Sequence, residues 1–325
     1  MTLNCHPTTW EERQSEFVRR EIEVLLASLS DSVGFNDLVK EALTKNSSSL
    51  SARTIYVRQW ALLPLMVCES VGGHYEQALP ASAAIQLLMA AGEVFDDIED
   101  ADSSESLSGK YGSAVATNIA TTLLILAERA ITLLKGRGVA DCNVVRVMDA
   151  VNSLYAIACA GQHLDLTITP EMAVSEDTYL RIACMKSAST PECACHIGAL
   201  LATENQELID KFTIFGRNLG MASQIANDIQ GIIRGSDIVK RKITLPMIYA
   251  LTQTEGEARN QLKLTFVEPS ELVPDPRRIT DLLFHYGAIH YATIKMELYK
   301  QHALDILSEV KSVGASVERL KLFLE

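Results

Sequence analysis

Ala81-Ser-Ala-Ala-Ile-Gln-Leu-Leu-Met-Ala-Ala-Gly92 runs without a break into Glu93-Val-Phe-Asp96-Asp97-Ile-Glu-Asp100. The first part is a long, mostly apolar helical stretch, and the second ends it in carboxylates. Asp96, Asp97 and Asp100 are spaced so that 96 and 100 stack one helical turn apart, with 97 beside them. Carboxylates crowded at the mouth of an apolar cavity repel one another, and oxygen-preferring cations such as Mg²⁺ relieve that repulsion. Cations held this way can grip and activate a diphosphate leaving group. Taken alone, the cluster also reads as a solvated acidic helix end in a chain of net charge -12. Its partners elsewhere in the chain decide between the two.

The bulk composition narrows the field. With 325 residues, 48% of them hydrophobic, the chain can build a sizeable core. The acidic balance, without a basic stripe or aromatic platform, argues against nucleic acid as a partner. The opening Met-Thr-Leu-Asn-Cys-His-Pro lacks the basic flank and apolar run of a signal peptide. Apolar runs such as Ala61–Val67 are too short to span a bilayer, so no transmembrane segment is expected. Seven cysteines at 5, 68, 142, 159, 184, 193 and 195 form no regular framework. Most read as buried thiols of a reduced compartment, and a cytoplasmic location is expected. Cys193-Ala-Cys195-His196 lies in a predicted helix, where positions two apart diverge, and is not expected to bind zinc.

Nearly every long segment has a period near 3.6. Helices are predicted over 9–28, 34–46, 52–71, 77–101, 111–134, 138–163, 173–185, 186–203, 207–233, 243–253, 274–286 and 287–314. Gly72-Gly73, Gly136-Arg-Gly138 and Pro274-Asp-Pro276 punctuate them. No linker or composition break divides residues 1–325, so a single all-α domain is expected, a large helical bundle around a central apolar cavity.

The helix predicted at 207–233 places Gln224, Asn227 and Asp228 on adjoining parts of one face. Facing the 77–101 helix, it would complete a site for cations and a diphosphate. Ionising an allylic prenyl diphosphate needs cations on the diphosphate oxygens and a cavity that shields the carbocation from water. Asp96, Asp97, Asp100, Asn227 and Asp228 are the candidate metal ligands. Lys186 and Lys242 are candidate partners of the diphosphate, with Gln224 on the opposite wall. Gln162-His163 could bring an amide and an imidazole to the cavity, and His163 is the histidine to watch as a proton acceptor.

These residues resemble the all-trans isoprenyl diphosphate synthases, the polyprenyl synthetase superfamily, over about residues 50–300. Asp96-Asp97-Ile-Glu-Asp100 matches the first aspartate-rich motif, and Gln224-Ile-Ala-Asn227-Asp228 the start of the second. Gly161-Gln162-His-Leu-Asp165 resembles the mid-chain Gly-Gln-x-x-Asp segment. Lys186-Ser187 resembles the diphosphate-binding Lys-Thr pair, and Lys242-Ile-Thr-Leu-Pro246 the Lys-x-Thr-Leu-Pro segment. The resemblance implies an isoprenoid synthase fold, a homodimer, and three Mg²⁺ ions on the substrate diphosphate.

The departures bear on the acceptor. Chain-elongating members grip isopentenyl diphosphate with Gly-Lys-Arg; here the segment reads Tyr56-Val57-Arg58, leaving only Arg58. Their Arg-Arg pair after the first motif is absent from Asp102-Ser-Ser-Glu-Ser-Leu107, and the second motif ends in Gly231 rather than an acid. Losing several charge-assisted donors should weaken a second diphosphate site. Transfer of the prenyl group to another acceptor is therefore the expectation, a peptide or small molecule, as in the ComQ-type enzymes that prenylate a tryptophan. The alternatives are a terpene synthase cyclising a C15 or C20 diphosphate, ordinary chain elongation, and an inactive regulatory subunit. A cyclase template is apolar shape rather than a motif, so the sequence does not separate transfer to an acceptor from cyclisation. Ala91 and Gly92, below Asp96, leave room for at least a C15 chain, with Leu87 and Leu88 as a floor.

Overall fold

A computed structural model describes residues 9–29, 34–44, 54–100, 104–168, 174–266 and 275–324, without the side chains of Asp100 and Thr265. In chain order the helices are α1 (Trp10–Leu26), α2 (Phe35–Leu43), α3 (Leu63–Ser70), α4 (Tyr75–Asp100), α5 (Leu107–Tyr111) and α6 (Ser113–Thr132). Next come α7 (Asp141–Thr167), α8 (Glu176–Ala183), α9 (Ser189–Ala202), α10 (Gln206–Arg234) and α11 (Ser236–Val239). The chain continues through α12 (Leu245–Gln253), α13 (Gly256–Phe266), α14 (Pro276–His285), α15 (Ala288–Ser312) and α16 (Glu318–Lys321). Among the described residues the only β pairing is a single bridge between Thr44 and Ile55. The protein is all-α.

The chain divides into two compact units. The first is Met1–Val151 with Ala194–Asp210 and Gly314–Ser316. Its axis is α4, which packs on α6, α3 and α1. Ala78, Ala81, Ala84, Ile85, Leu87, Leu88 and Ala91 of α4 are all buried, so the helix is apolar around its whole girth because protein surrounds it. The second unit is Asn152–Cys193 with Lys211–Val313 and Val317–Glu325. Ile225, Ile229 and Ile232 of α10 share its core with Leu245 and Ile248 of α12 and Leu283 of α14.

Several expectations need correction. Residues 54–58 are not helical: Ile55 and Val57 are β-branched and buried, and the segment runs extended into a 3₁₀ turn, Gln59–Leu62. The short helices α5 and α13 fall in stretches without a clear apolar period. The helix break expected between 185 and 186 is instead a π-helical turn, Cys184–Ala188, that joins α8 to α9. Cys68, Cys193 and Cys195 are buried, but Cys142 and Cys159 are exposed. Cys5, Asp102, Ser103 and Pro274 lie outside the described residues. Three helices also prove long and apolar enough to cross a membrane by length and composition: Tyr75–Glu99, Ser113–Arg137 and Asp141–Thr167. Scattered small polar residues hid them from a search for unbroken apolar runs. The first is 78% buried, so its composition serves the core, whereas the last is 17% buried.

Candidate active site

In the first unit, the last two turns of α4 carry Glu93, Asp96, Asp97, Glu99 and Asp100, with no basic residue in the final turn. A helix C-terminus already bears about half a negative charge, so each acid placed there is disfavoured by roughly 0.3–1 kcal/mol unless a cation answers it. Asp96 and Asp97 are half-buried. Ser108 donates to the Asp97 carbonyl at 3.2 Å and so ties the helix end to α5. The Asp100 backbone closes the helix, but its side chain lies outside the described residues.

Arg58 is brought to this helix by the buried Gln86. The Arg58 amide donates to Gln86 Oε1 at 2.8 Å, and Gln86 Nε2 donates to the Tyr56 carbonyl at 2.9 Å. The guanidinium then forms a two-pronged ion pair with Glu93, Nε to Oε1 at 2.6 Å and Nη2 to Oε2.

In the second unit, α10 carries Asp228 almost wholly buried, while Asn227, one residue around the helix, is exposed. Tyr179 of α8 donates to Asp228 Oδ2 at 2.5 Å, and Gln224, one turn back, donates to Oδ1 at 2.8 Å. Burial pushes the Asp228 carboxyl up to about 6, against the pull of those hydrogen bonds; Asp237 raises it further and Lys242 lowers it. Lys242 itself is exposed. It follows Arg241, whose φ of 54° is left-handed, and the Lys242 amide donates to the Asp237 carbonyl at 2.8 Å. The loop that aims Lys242 is thus anchored on the residue that presses on Asp228.

Lys186 sits on the π-helical turn, a feature frequent at functional sites. Its Nζ meets Asp165 Oδ2 at 2.7 Å. Gly161 makes this possible: a Cβ there would lie 2.5 Å from the Lys186 amide nitrogen and 2.7 Å from Met185 Cβ. Gln162, next to it, is half-buried and His163 is exposed.

Sequence reasoning missed Glu93, Tyr179 and Asp237 and gave Asp165 no role. The place of Asp237 is visible only in three dimensions. A Cβ on Gly231 would lie 2.1 Å from Asp237 Oδ2, so the carboxylate occupies the space that a side chain at 231 would fill. A carboxylate from α11 thus stands beside Gly231, the position at which the second motif would carry its last acid.

The polyprenyl synthetase family profile matches residues 54–280. The chain belongs to the polyprenyl synthetase family. It is 30% identical over 246 residues to a geranylgeranyl diphosphate synthase of Mycobacterium tuberculosis, covering 71% of this chain and 69% of that one. It is 27% identical over 234 residues to the tryptophan prenyltransferase ComQ of Bacillus spizizenii, covering 71% and 80%. A crystal structure of geranylgeranyl pyrophosphate synthetase from Pyrococcus horikoshii shares the fold with a TM-score of 0.82 at 22% identity, covering 96% of this chain and 94% of that one. Family membership makes the protein a class I enzyme, a prenyltransferase acting on allylic prenyl diphosphates. Geranylgeranyl diphosphate synthases recur among its relatives, which favours chain elongation over transfer to a different acceptor.

Enzymes of this family generally use Mg²⁺. Among the described residues no group of three or more His, Cys, Asp and Glu is gathered to hold an ion. The donors present nonetheless suit one. Asp96 and Asp97 offer hard oxygen ligands at the negative end of α4. Asp228 accepts two hydrogen bonds and keeps further lone pairs.

Proposed function

We propose that this enzyme ionises an allylic prenyl diphosphate with Mg²⁺ and couples the prenyl group to isopentenyl diphosphate, lengthening the chain. The 30% identity to a geranylgeranyl diphosphate synthase carries this choice of acceptor. In this reading Asp96, Asp97, Asp100, Asn227 and Asp228 hold the metal, in the family's number of three ions. Bound there, Mg²⁺ would supply positive charge to the leaving diphosphate. Lys186 and Lys242 bind the diphosphate oxygens, Gln162 and Gln224 complete the polar wall, and Arg58 faces the acceptor. Asp165 holds Lys186 in place, and Tyr179 with Gln224 fixes the Asp228 carboxylate. The reading takes the chain as one catalytic domain.

The Arg58–Glu93 pair favours a second reading, in which the acceptor carries no diphosphate: a peptide, a small molecule, or the substrate's own double bond. Incubation with Mg²⁺ and C10, C15 or C20 allylic diphosphates, with and without isopentenyl diphosphate, separates the two. Longer diphosphates establish elongation. Hydrocarbons or alcohols formed without any acceptor refute it, and release of pyrophosphate from neither mixture points to a missing acceptor. Asp96→Ala should abolish pyrophosphate release in every case.

The reading includes a homodimer. Leu124 and Ile125 on α6, and Val145 and Ile157 on α7, are exposed apolar side chains that a second copy would cover. Light scattering should give twice the chain mass, and Ile125→Asp should lower it.

A further inference from the structure

We propose that Glu93 is an acceptor-specificity residue: by holding Arg58 it disfavours an acceptor that bears a diphosphate. The inference rests on the reading of Arg58 as the acceptor-facing cation, and every residue in it lies in the first unit. Gln86 and Glu93 are seven apart on α4 and therefore share a face two turns long. Gln86 pins the backbone of Tyr56 and Arg58, and Glu93 takes the side chain, so Arg58 is clamped at both ends.

A guanidinium presents donors in fixed forks, and the fork that would straddle a phosphate is the one that straddles a carboxylate. Here the Nε–Nη2 fork is filled by Glu93. The Arg58 side chain is 12% exposed, and its Nη1 is buried with no hydrogen-bond partner. That unmet donor makes the closed pair an imperfect resting state, open to competition from a better-placed anion. Glu93 is 59% exposed and lies one turn before Asp96 and Asp97. An incoming diphosphate must displace this carboxylate from Arg58 and remain beside three acids, two of which its partner substrate's metal ions would screen. A neutral acceptor faces neither demand.

Calorimetric titration of the full-length protein with isopentenyl diphosphate, without an allylic substrate, tests this independently of turnover. Glu93→Gln should tighten binding by about twofold to fivefold, the upper part of the range expected when one partly exposed charge pair is removed. In the Arg58→Met background the same substitution should change binding less than twofold, because the competition has lost its object. Equal tightening in both backgrounds would assign the effect to general charge and overturn the proposal. Unchanged, weaker or undetectable binding by Glu93→Gln would overturn it too. A parallel pyrophosphate-release assay shows whether the ionising site works, so failure of the reading of the enzyme is distinguishable from failure of the role of Glu93. Thermal unfolding confirms that each variant is folded.

Discussion

Gly161→Ala is a one-methyl change whose consequence can be worked from distances. The added Cβ would meet the Lys186 amide nitrogen at 2.5 Å, where ordinary contact begins at 3.4 Å, and Met185 Cβ and carbonyl carbon at 2.7 and 2.8 Å. None of the three is the tip of a flexible side chain, so α7 and the π-helical turn must separate by about 0.9 Å. Overpacking of this kind costs about 1–3 kcal/mol, and the better helix propensity of alanine returns about 1. The net loss of stability is therefore modest, about 0–2 kcal/mol. Function should suffer more, because the turn carries Lys186 and sets its distance to Asp165. Losing one charge-assisted bond to a diphosphate is worth about 1.5–3 kcal/mol, or about 10- to 100-fold in affinity. Thermal unfolding and KM for the allylic diphosphate are to be measured in Gly161→Ala and Lys186→Ala. If Gly161→Ala keeps the wild-type KM while Lys186→Ala loses it, the close approach is not what positions the lysine and the reasoning fails.

Gly92 offers the opposite case: a Cβ there meets nothing within 4 Å, so Gly92→Ala should stabilise α4 by about 0.5–1 kcal/mol in a denaturant titration. Alkylation of the Ile125→Asp protein at pH 8 followed by mass spectrometry should label Cys142 and Cys159, which are exposed on the single chain. It should spare Cys68, whose thiol burial, aided by Glu69 and Glu76, pushes up to about 12. Burial pulls the Glu176 carboxyl up, but hydrogen bonds from Lys295 and Tyr291 pull it further, to below the ordinary carboxylate value. A depressed carboxyl contributes stability above its unfolded pKa and loses it as pH falls through the folded one, so Glu176→Gln should flatten the acid side of a stability–pH curve.

Helix α10 was legible because its buried Phe212, Phe215, Leu219, Ile225 and Ile229 keep a helical period, and α4 because its long run is almost wholly apolar. The acids of α4 were legible because, on a helix, spacing is geometry. What could not be read was anything that depends on how close two backbones come. Cys184–Ala188 has an ordinary helical composition, and the close approach of Gly161 to its backbone is visible only in three dimensions. Residues 54–58 read as part of a helix over 52–71. Side-chain bonds from Gln86 and Arg19 hold that segment extended, over separations of about 30 residues that no local pattern reports.

Motif letters miscounted the charges in two opposite ways. By letters, the second motif lacks its last acid; in space, Asp237 lies where that side chain would be, and its charge is felt at Asp228. By letters, Arg58 survives as a cation for the acceptor; in space, Glu93 already holds it. In the proposed reading, the first restores a carboxylate beside the candidate metal ligand Asp228, and the second takes a cation from the candidate acceptor side. Both shift the balance toward gripping one diphosphate well and a second one poorly. If this enzyme elongates chains, it should therefore do so with a high KM for isopentenyl diphosphate beside an ordinary one for its allylic substrate. A tight isopentenyl diphosphate site in the wild type would contradict the charge count rather than the family.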